Sequence, residues 1–424
     1  MSEQSLQLEP GVNSGLSGLK MNRKPHILFI CYANSTHAQG WINLLQDSPF
    51  EVRVFTTRLL SMEYGWAPDW NFSTYVTIQP EIKSRRMKGH VFWLLPGVSR
   101  LEAISSWLDG RFNLTVSYLR RIIRTWNPDI IHSLSMDKGG RLARLALEGI
   151  SPEDRPRWVV SSYGNDICLD LFDVDKSENI KSILSQCDGF MADCQRDRQL
   201  AVSAGLDAAK LALDRAVPGP GGLDLDRFAR LRQASYPRRS ILVPKAFERD
   251  HANRTLVILE AFRILGDEFL KDFDIHFNMC SKSVKAYLRQ MPGWLQRRVQ
   301  CHAMLPQDEL FLQMAQARVV IAPSLMDGTP NVMLEAMAAG ALPILSPIDS
   351  IQEWIKDGEN GLLAHALYPD QVAAALRRAL LDDELFERAQ RLNWEIVCQR
   401  VDRRKVRQEV LEYYQNLCQS RNIL

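Results

Sequence analysis

From His26 onward, short apolar runs alternate with segments of helical period. HILFIC at 26–31 is a continuous apolar run of strand length, and AQGWINLLQ after it puts Trp41, Ile42, Leu44 and Leu45 on the inner side of a helix. EVRVFTT from Glu51 is a second strand. Between 115 and 126, Tyr118, Leu119, Ile122, Ile123 and Trp126 share one helical face while Arg120, Arg121 and Arg124 lie on the other. That pattern predicts a helix packed ahead of the strand DIIHS. RWVVSSYGNDI reads as the next strand and loop, and CDGFMADCQ as a strand leading into a helix. Alternation of this kind predicts an α/β protein, with a parallel sheet covered by helices on both faces.

The alternation breaks at 216–237, where Pro218, Gly219, Pro220, Gly221 and Gly222 mark a linker. A second unit follows: ILVP, the helix TLVILEAFRIL, the strands FDIHFNM and RVQCHA, the helix ELFLQMAQA and a strand over 318–323. From Asp370 the pattern is helical, rich in Arg and Glu, and ends in VRQEVLEYYQNL. The division this predicts is a tail over 1–24, a Rossmann-like domain over 25–217, a linker over 218–237, a second Rossmann-like domain over 238–395 and a terminal helix over 396–424.

A length of 424 residues agrees with two domains, since one core rarely supports so long a chain. With 46% hydrophobic and 24% charged residues this is an ordinary globular composition, and a net charge of +2 argues for no nucleic-acid partner. The 8 cysteines are scattered without a C-x2-C pair, so neither a zinc site nor a disulfide framework is expected, which suits a reducing cytoplasm. No apolar stretch is long enough to span a membrane, and the first 24 residues lack the apolar core of a signal peptide. No G-x-G-x-x-G follows the first strand, which argues against a dinucleotide dehydrogenase.

Candidate chemistry concentrates in residues 321–363. After the buried strand comes a loop and then a helix with marked ends: Thr329 as N-cap, Pro330 at the first helical position and Gly340 just past the end. Glu335 is the one charge in an otherwise apolar helix, and Asp327 stands eight positions before it in the loop. Free N–H groups and the positive end of the helix dipole favour a phosphate at such a terminus. Two carboxylates beside that anion site point to hydroxyls to be gripped, as in a nucleotide sugar.

Asp327-x7-Glu335, the following Ala-Met-Ala-Ala-Gly340, Pro343, Glu353 and Asp357-Gly-Glu-Asn-Gly361 together resemble the donor-site signature of family 4 retaining glycosyltransferases of the GT-B fold. That signature usually opens with Glu, so Asp327 departs from it with a shorter reach. NSTHAQGWI around His37, the Asn127–His132 stretch and the Gly222–Phe228 stretch are similar to further family segments. The resemblance implies two Rossmann-like domains facing a cleft, with the last helix crossing back to the first domain through Tyr413, Tyr414 and Leu417.

It also implies roles. Glu335 would hold the nucleotide ribose and Asp327 the transferred sugar. Gly328, Thr329, Pro330, Asn331 and Val332 would line the donor, with Met314 and Ala315 bordering the base. Lys245, with Arg254 or Arg249, would balance the diphosphate without a metal ion. Glu353 would touch the donor or brace a helix start. In the first domain His37 would face the cleft, and Tyr163, Asn165 or Asp166 would replace the family's sugar-binding His, which is absent here.

The implied activity is transfer of a sugar with retention from a nucleoside diphosphate sugar, a co-substrate rather than a cofactor, to a hydroxyl of a saccharide or lipid-linked acceptor. The run Lys83, Arg85, Arg86, Lys88 and the arginines at 120–124 are solvated faces or, in a sharper reading, a peripheral contact with an anionic inner-membrane surface. The rivals are a catalytically silent nucleotide-sugar-binding protein and a GT-B epimerase.

Overall fold

The computed structural model describes residues 23–32, 35–56, 71–74, 114–234, 238–248 and 252–420. The predicted tail as far as Asn22, the basic run at 83–88, Asn34 and Arg249 lie outside these residues.

Two parallel sheets are present. The first contains β1 His26–Cys31, β2 Glu51–Thr56, β3 Asn71–Thr74, β4 Ile130–Ser133, β5 Arg157–Ser162 and β6 Gly189–Ala192, in the order β3-β2-β1-β4-β5-β6. The second contains β7 Ser240–Val243, β8 Asp274–Phe277, β9 Val299–Cys301, β10 Ala317–Ile321, β11 Leu342–Leu345 and β12 Leu362–Leu363, in the order β12-β11-β10-β7-β8-β9. Strand order reverses between β1 and β4 in the first sheet and between β7 and β10 in the second. Ligands bind outside the carboxyl ends of strands at such switch points. His37 sits in the first turn of the helix Thr36–Ile42 that follows β1, the loop after β7 carries Lys245 and the loop after β10 carries Asp327.

The apolar runs form strands because both faces are buried. In β1, Leu28 and Ile30 enter one core with Leu119, Ile123 and Trp158, while Ile27, Phe29 and Cys31 enter another with Trp41 and Leu44. The second of these cores is closed by the helix Arg403–Gln419, whose Val406, Val410 and Tyr414 are fully buried in it, with Tyr413 and Leu417 at its edge. Burying each such side chain contributes about 1.5–3 kcal/mol. The return of the last helix to the first domain is therefore as expected, although the crossing starts at Arg403, after the helix Asp383–Arg400 has ended.

A polar network fixes this helix in place. Tyr414 Oη accepts a bond from Trp41 Nε1 at 3.0 Å and lies 2.6 Å from His132 Nδ1, while His132 Nε2 is 2.8 Å from Ser161 Oγ. Burial lowers His132 to about 3, so the ring is neutral and these contacts are hydrogen bonds rather than ion pairs.

The Pro/Gly stretch makes the expected break, with Gly221 N–H donating to Pro218 O at 2.8 Å. At Gly222, φ is +85° and an added Cβ would lie 2.5 Å from Val401 O, so only glycine lets the linker cross the returning chain there. Residues 225–233, within the predicted linker, form the helix Leu225–Gln233, capped by the Asp224 side chain. Leu225, Phe228 and Leu231 lie three apart, which gives that helix an apolar face packed into the second domain's core.

Candidate functional site

The helix after β10 is Asn331–Ala339, with Gly340 left-handed at φ 82° as its stop. It begins one residue later than expected. Pro330 is the N-cap, and its ring has no atom to cap the helix, while the Thr329 hydroxyl is used elsewhere. That hydroxyl donates to the carbonyl of Asp193 in the first domain and accepts from Trp354 Nε1 at 3.2 Å. The first-turn amides are thus left without a side-chain cap at the positive end of the helix dipole. Asn331 adds a buried Oδ1 with no hydrogen-bond partner, and Val332 is buried.

The rest of the helix packs on every side, with Met333, Leu334 and Ala336 to Ala339 all fully buried. Met314 and Ala315 are also fully buried in this core, so they support the helix rather than border the cleft. Glu335 stands out. Burial raises its carboxyl to about 7 against the opposing pull of Lys245 and Arg227. Burial likewise raises Asp327, opposed by Lys245, by the Gly328 N–H that donates to Asp327 Oδ1 at 3.0 Å, and by Arg196.

Lys245 links these groups. Its charge acts on Asp327 and Glu335 in the second domain and on His37 in the first. Burial, with Lys245 adding, lowers His37 to about 4, so its ring is neutral, and its Nδ1 is buried without a partner. His37 packs on Tyr163 with ring centroids 5.3 Å apart, and both crowd Gly219, where an added Cβ would lie 2.2 Å from His37 Nδ1. Arg254 has its guanidinium 3.7 Å from Glu248, and its backbone N–H donates to Pro323 O at 2.9 Å.

Of the three residues expected to replace the missing His, Asp166 is a brace. It accepts from Ser162 Oγ at 2.6 Å, from Met136 N at 2.9 Å and from Tyr163 N at 3.1 Å. Burial raises it to about 6 despite those bonds. Asn165 opens the helix Asn165–Asp170, and Tyr163 is the one that meets His37.

Sequence reasoning did not anticipate the contacts that join the domains. Arg196, at the start of the helix Gln195–Ser203, bonds Asp197 Oδ1 at 2.9 Å, the Asp327 carbonyl at 3.0 Å and the Gly164 carbonyl at 3.3 Å. Ser350 Oγ donates to the same Asp327 carbonyl at 2.7 Å. Glu353 does brace a helix start, but in the opposite domain: it accepts from the N–H groups of Gln195 at 2.8 Å and Arg196 at 2.9 Å. Asp193 presses against Gly328, where an added Cβ would lie 2.5 Å from both carboxylate oxygens. Burial, reinforced by Asp197 and Asp327, pushes Asp193 far above the usual carboxylate range.

Among the described residues Asp193, Cys194 and Asp197 form a trio whose ligand atoms lie within 4.8 Å of one another. Arg196 already compensates Asp197, and the raised Asp193 favours a proton, so this set suits a neutral acid better than a divalent ion.

Residues 239–382 match the family model for glycosyl transferases group 1. The second domain is a group 1 glycosyl transferase domain. Phosphatidyl-myo-inositol mannosyltransferase of Mycobacterium tuberculosis is 28% identical over 203 residues, covering 44% of this chain and 53% of that protein. The Mycolicibacterium smegmatis protein of the same name is 27% identical over 198 residues, covering 44% and 51%. The chain thus spans about half the length of the curated relatives it matches.

Among solved structures, Anabaena HepE in complex with UDP and glucose covers 92% of this chain and 100% of its own, with a TM-score of 0.66 and 14% identity. Sucrose-phosphate synthase of Thermosynechococcus elongatus covers 93% and 100%, with a TM-score of 0.67 and 16% identity. The fold of this chain is GT-B, as the resemblance to family 4 implies. No helix among the described residues is long and apolar enough to cross a membrane.

Proposed function

We propose that this group 1 glycosyl transferase domain and the domain facing it move a sugar, with retention, from a nucleoside diphosphate sugar to a hydroxyl acceptor without a metal ion. One observation carries the reading. Asp327 and Glu335 flank an uncapped helix N-terminus, and the charge of Lys245 acts on both. The diphosphate would lie against the first-turn amides of the Asn331–Ala339 helix, with Lys245 balancing its charge. Glu335 would accept the ribose hydroxyls and Asp327 those of the sugar. The acceptor oxygen forms a bond to the anomeric carbon as the carbon–phosphate oxygen bond breaks on the same face. The leaving diphosphate takes the acceptor proton. The protein contributes position and electrostatics.

HepE is described in complex with UDP and glucose, which supports a nucleotide-sugar donor. The mycobacterial relatives are named for a lipid acceptor, which favours a lipid-linked acceptor and a peripheral position at the cytoplasmic membrane face. Arg120 donates to the Leu145 and Ala146 carbonyls, so Arg121 and Arg124, both exposed, are the arginines of this helix left to meet lipid. The test is a panel of UDP-, GDP- and ADP-sugars offered in the presence of a chelator, with release of the free nucleoside diphosphate measured. Release from one donor class supports the proposal. Tight binding without release, with every acceptor class tried, would favour the silent binding protein.

A further inference from the structure

On the far side of Lys245, two thiols that belong to none of the roles above stand in contact. Cys280, three residues past β8, and Cys301, at the end of β9, have their Sγ atoms 3.1 Å apart. A disulfide needs about 2.05 Å between sulfurs, so closure requires about 1 Å of movement. The backbones are already held together: Phe277 pairs with Cys301 across the sheet, and Cys280 N–H donates to His302 O at 3.1 Å. Both thiols are partly exposed, and Met279 and Met304 beside them are exposed. By contrast Cys31, Cys187, Cys194 and Cys418 are buried. The Cys280 thiol donates to Cys301, lowering the latter to about 7 against burial, with Lys285 helping.

We propose that Cys280 and Cys301 are a modification site: a dithiol that a low-molecular-weight disulfide converts to an intramolecular disulfide. The Cys301 thiolate attacks one sulfur of the incoming disulfide, forming a mixed disulfide and expelling one thiolate. Cys280 then loses its proton to solvent, attacks the Cys301 sulfur and expels the second thiolate. Two protein thiols are oxidised and one small disulfide is reduced to two thiols, so no other oxidant is needed.

Closure acts on the cleft through Asn278. Its carbonyl accepts from Ala246 N at 2.8 Å, its side chain donates to Pro244 O at 3.2 Å, and Ser281 N donates to Ala246 O at 2.9 Å. The 278–281 segment thus clasps the two neighbours of Lys245. Pulling Cys280 toward β9 shifts that clasp, and the effect on donor binding rests on the reading of Lys245 given above.

The experiment treats the full chain with oxidised glutathione or with dithiothreitol, alkylates it and maps the peptides. The expected result is a Cys280–Cys301 cross-linked peptide that dithiothreitol abolishes. Cys301→Ser and Cys280→Ser should each give no cross-link at this position. Affinity for whichever of UDP, GDP or ADP the reduced wild type binds should fall at least about 5-fold on oxidation and stay unchanged in Cys301→Ser. Recovery of both cysteines fully alkylated, or only as unresolved glutathione adducts, would overturn the pair. A cross-link without loss of affinity for that nucleotide would overturn its coupling to the cleft. If reduced protein binds no UDP, GDP or ADP at all, the donor reading fails, while peptide mapping still decides the thiol pair.

Discussion

An added Cβ on Gly164 would lie 2.2 Å from the amide nitrogen of Gly328. The loop after β5 and the loop that carries Asp327 therefore meet backbone to backbone, and Gly164 does so at φ +84°, a conformation open to glycine. Gly164→Ala should force the two loops apart. We expect sugar transfer to fall about 100-fold, the usual cost of misplacing reacting groups by about 1 Å, with the second domain still folded. Steady-state kinetics beside a thermal melt check this. Unchanged turnover in Gly164→Ala would show that this contact does not set the geometry of the site.

Arg196 satisfies three acceptors at once, one of them the fully buried Asp197 carboxylate. Removing it in Arg196→Ala strands that carboxylate, and the expected destabilisation is about 3–5 kcal/mol by denaturant unfolding. Arg196→Lys keeps a charge near Asp197 but cannot reach the Asp327 and Gly164 carbonyls together. It should recover much of the stability and little of the activity.

Burial lifts Glu335 from about 4.5 to about 7. Between those values the folded protein holds a proton that the unfolded chain has released, so stability falls as pH rises through that window. Glu335→Gln should flatten this part of the stability profile. Donor binding runs the other way, because ribose hydroxyls are accepted by the carboxylate. Nucleotide affinity should strengthen as pH rises toward neutrality, by up to about tenfold per pH unit, and lose that slope in Glu335→Gln. Calorimetric titration on both sides of neutrality measures it.

Tyr414→Phe removes the oxygen shared by Trp41 and His132 in a buried site. Leaving those partners unsatisfied should cost about 1–3 kcal/mol of stability. The network lies under the sheet and away from Glu335, so nucleotide affinity should be unchanged. A thermal melt with and without nucleotide separates the two effects.

What could be read in the sequence follows from the range of the interactions. HILFIC and ARVVI announce buried parallel strands because both of their faces must be apolar. Asp327 and Glu335 stand out in the sequence because strand, loop and helix are contiguous, so local rules put one carboxylate in the loop and the other one turn into the helix. Thr329 looked like an N-cap for the same local reason. It was diverted because a first-domain carbonyl, at Asp193, competes for its hydroxyl. Arg196 and the Asp327 carbonyl it holds are 131 positions apart, and Glu353 caps a helix 158 positions earlier. No periodicity or short motif signals contacts of that kind. The Cys280–Cys301 pair is of the same kind, since β8 and β9 bring together residues that show no C-x2-C spacing.

The most direct test of the central claim is a thermal-shift comparison of UDP, GDP and ADP, with and without attached sugars, on wild type and Glu335→Ala in metal-free buffer. The account predicts that one nucleotide stabilises the wild type and that Glu335→Ala, folded on its own, loses that shift. A folded wild type stabilised by none of them, or a Glu335→Ala protein stabilised as strongly as the wild type, would contradict it.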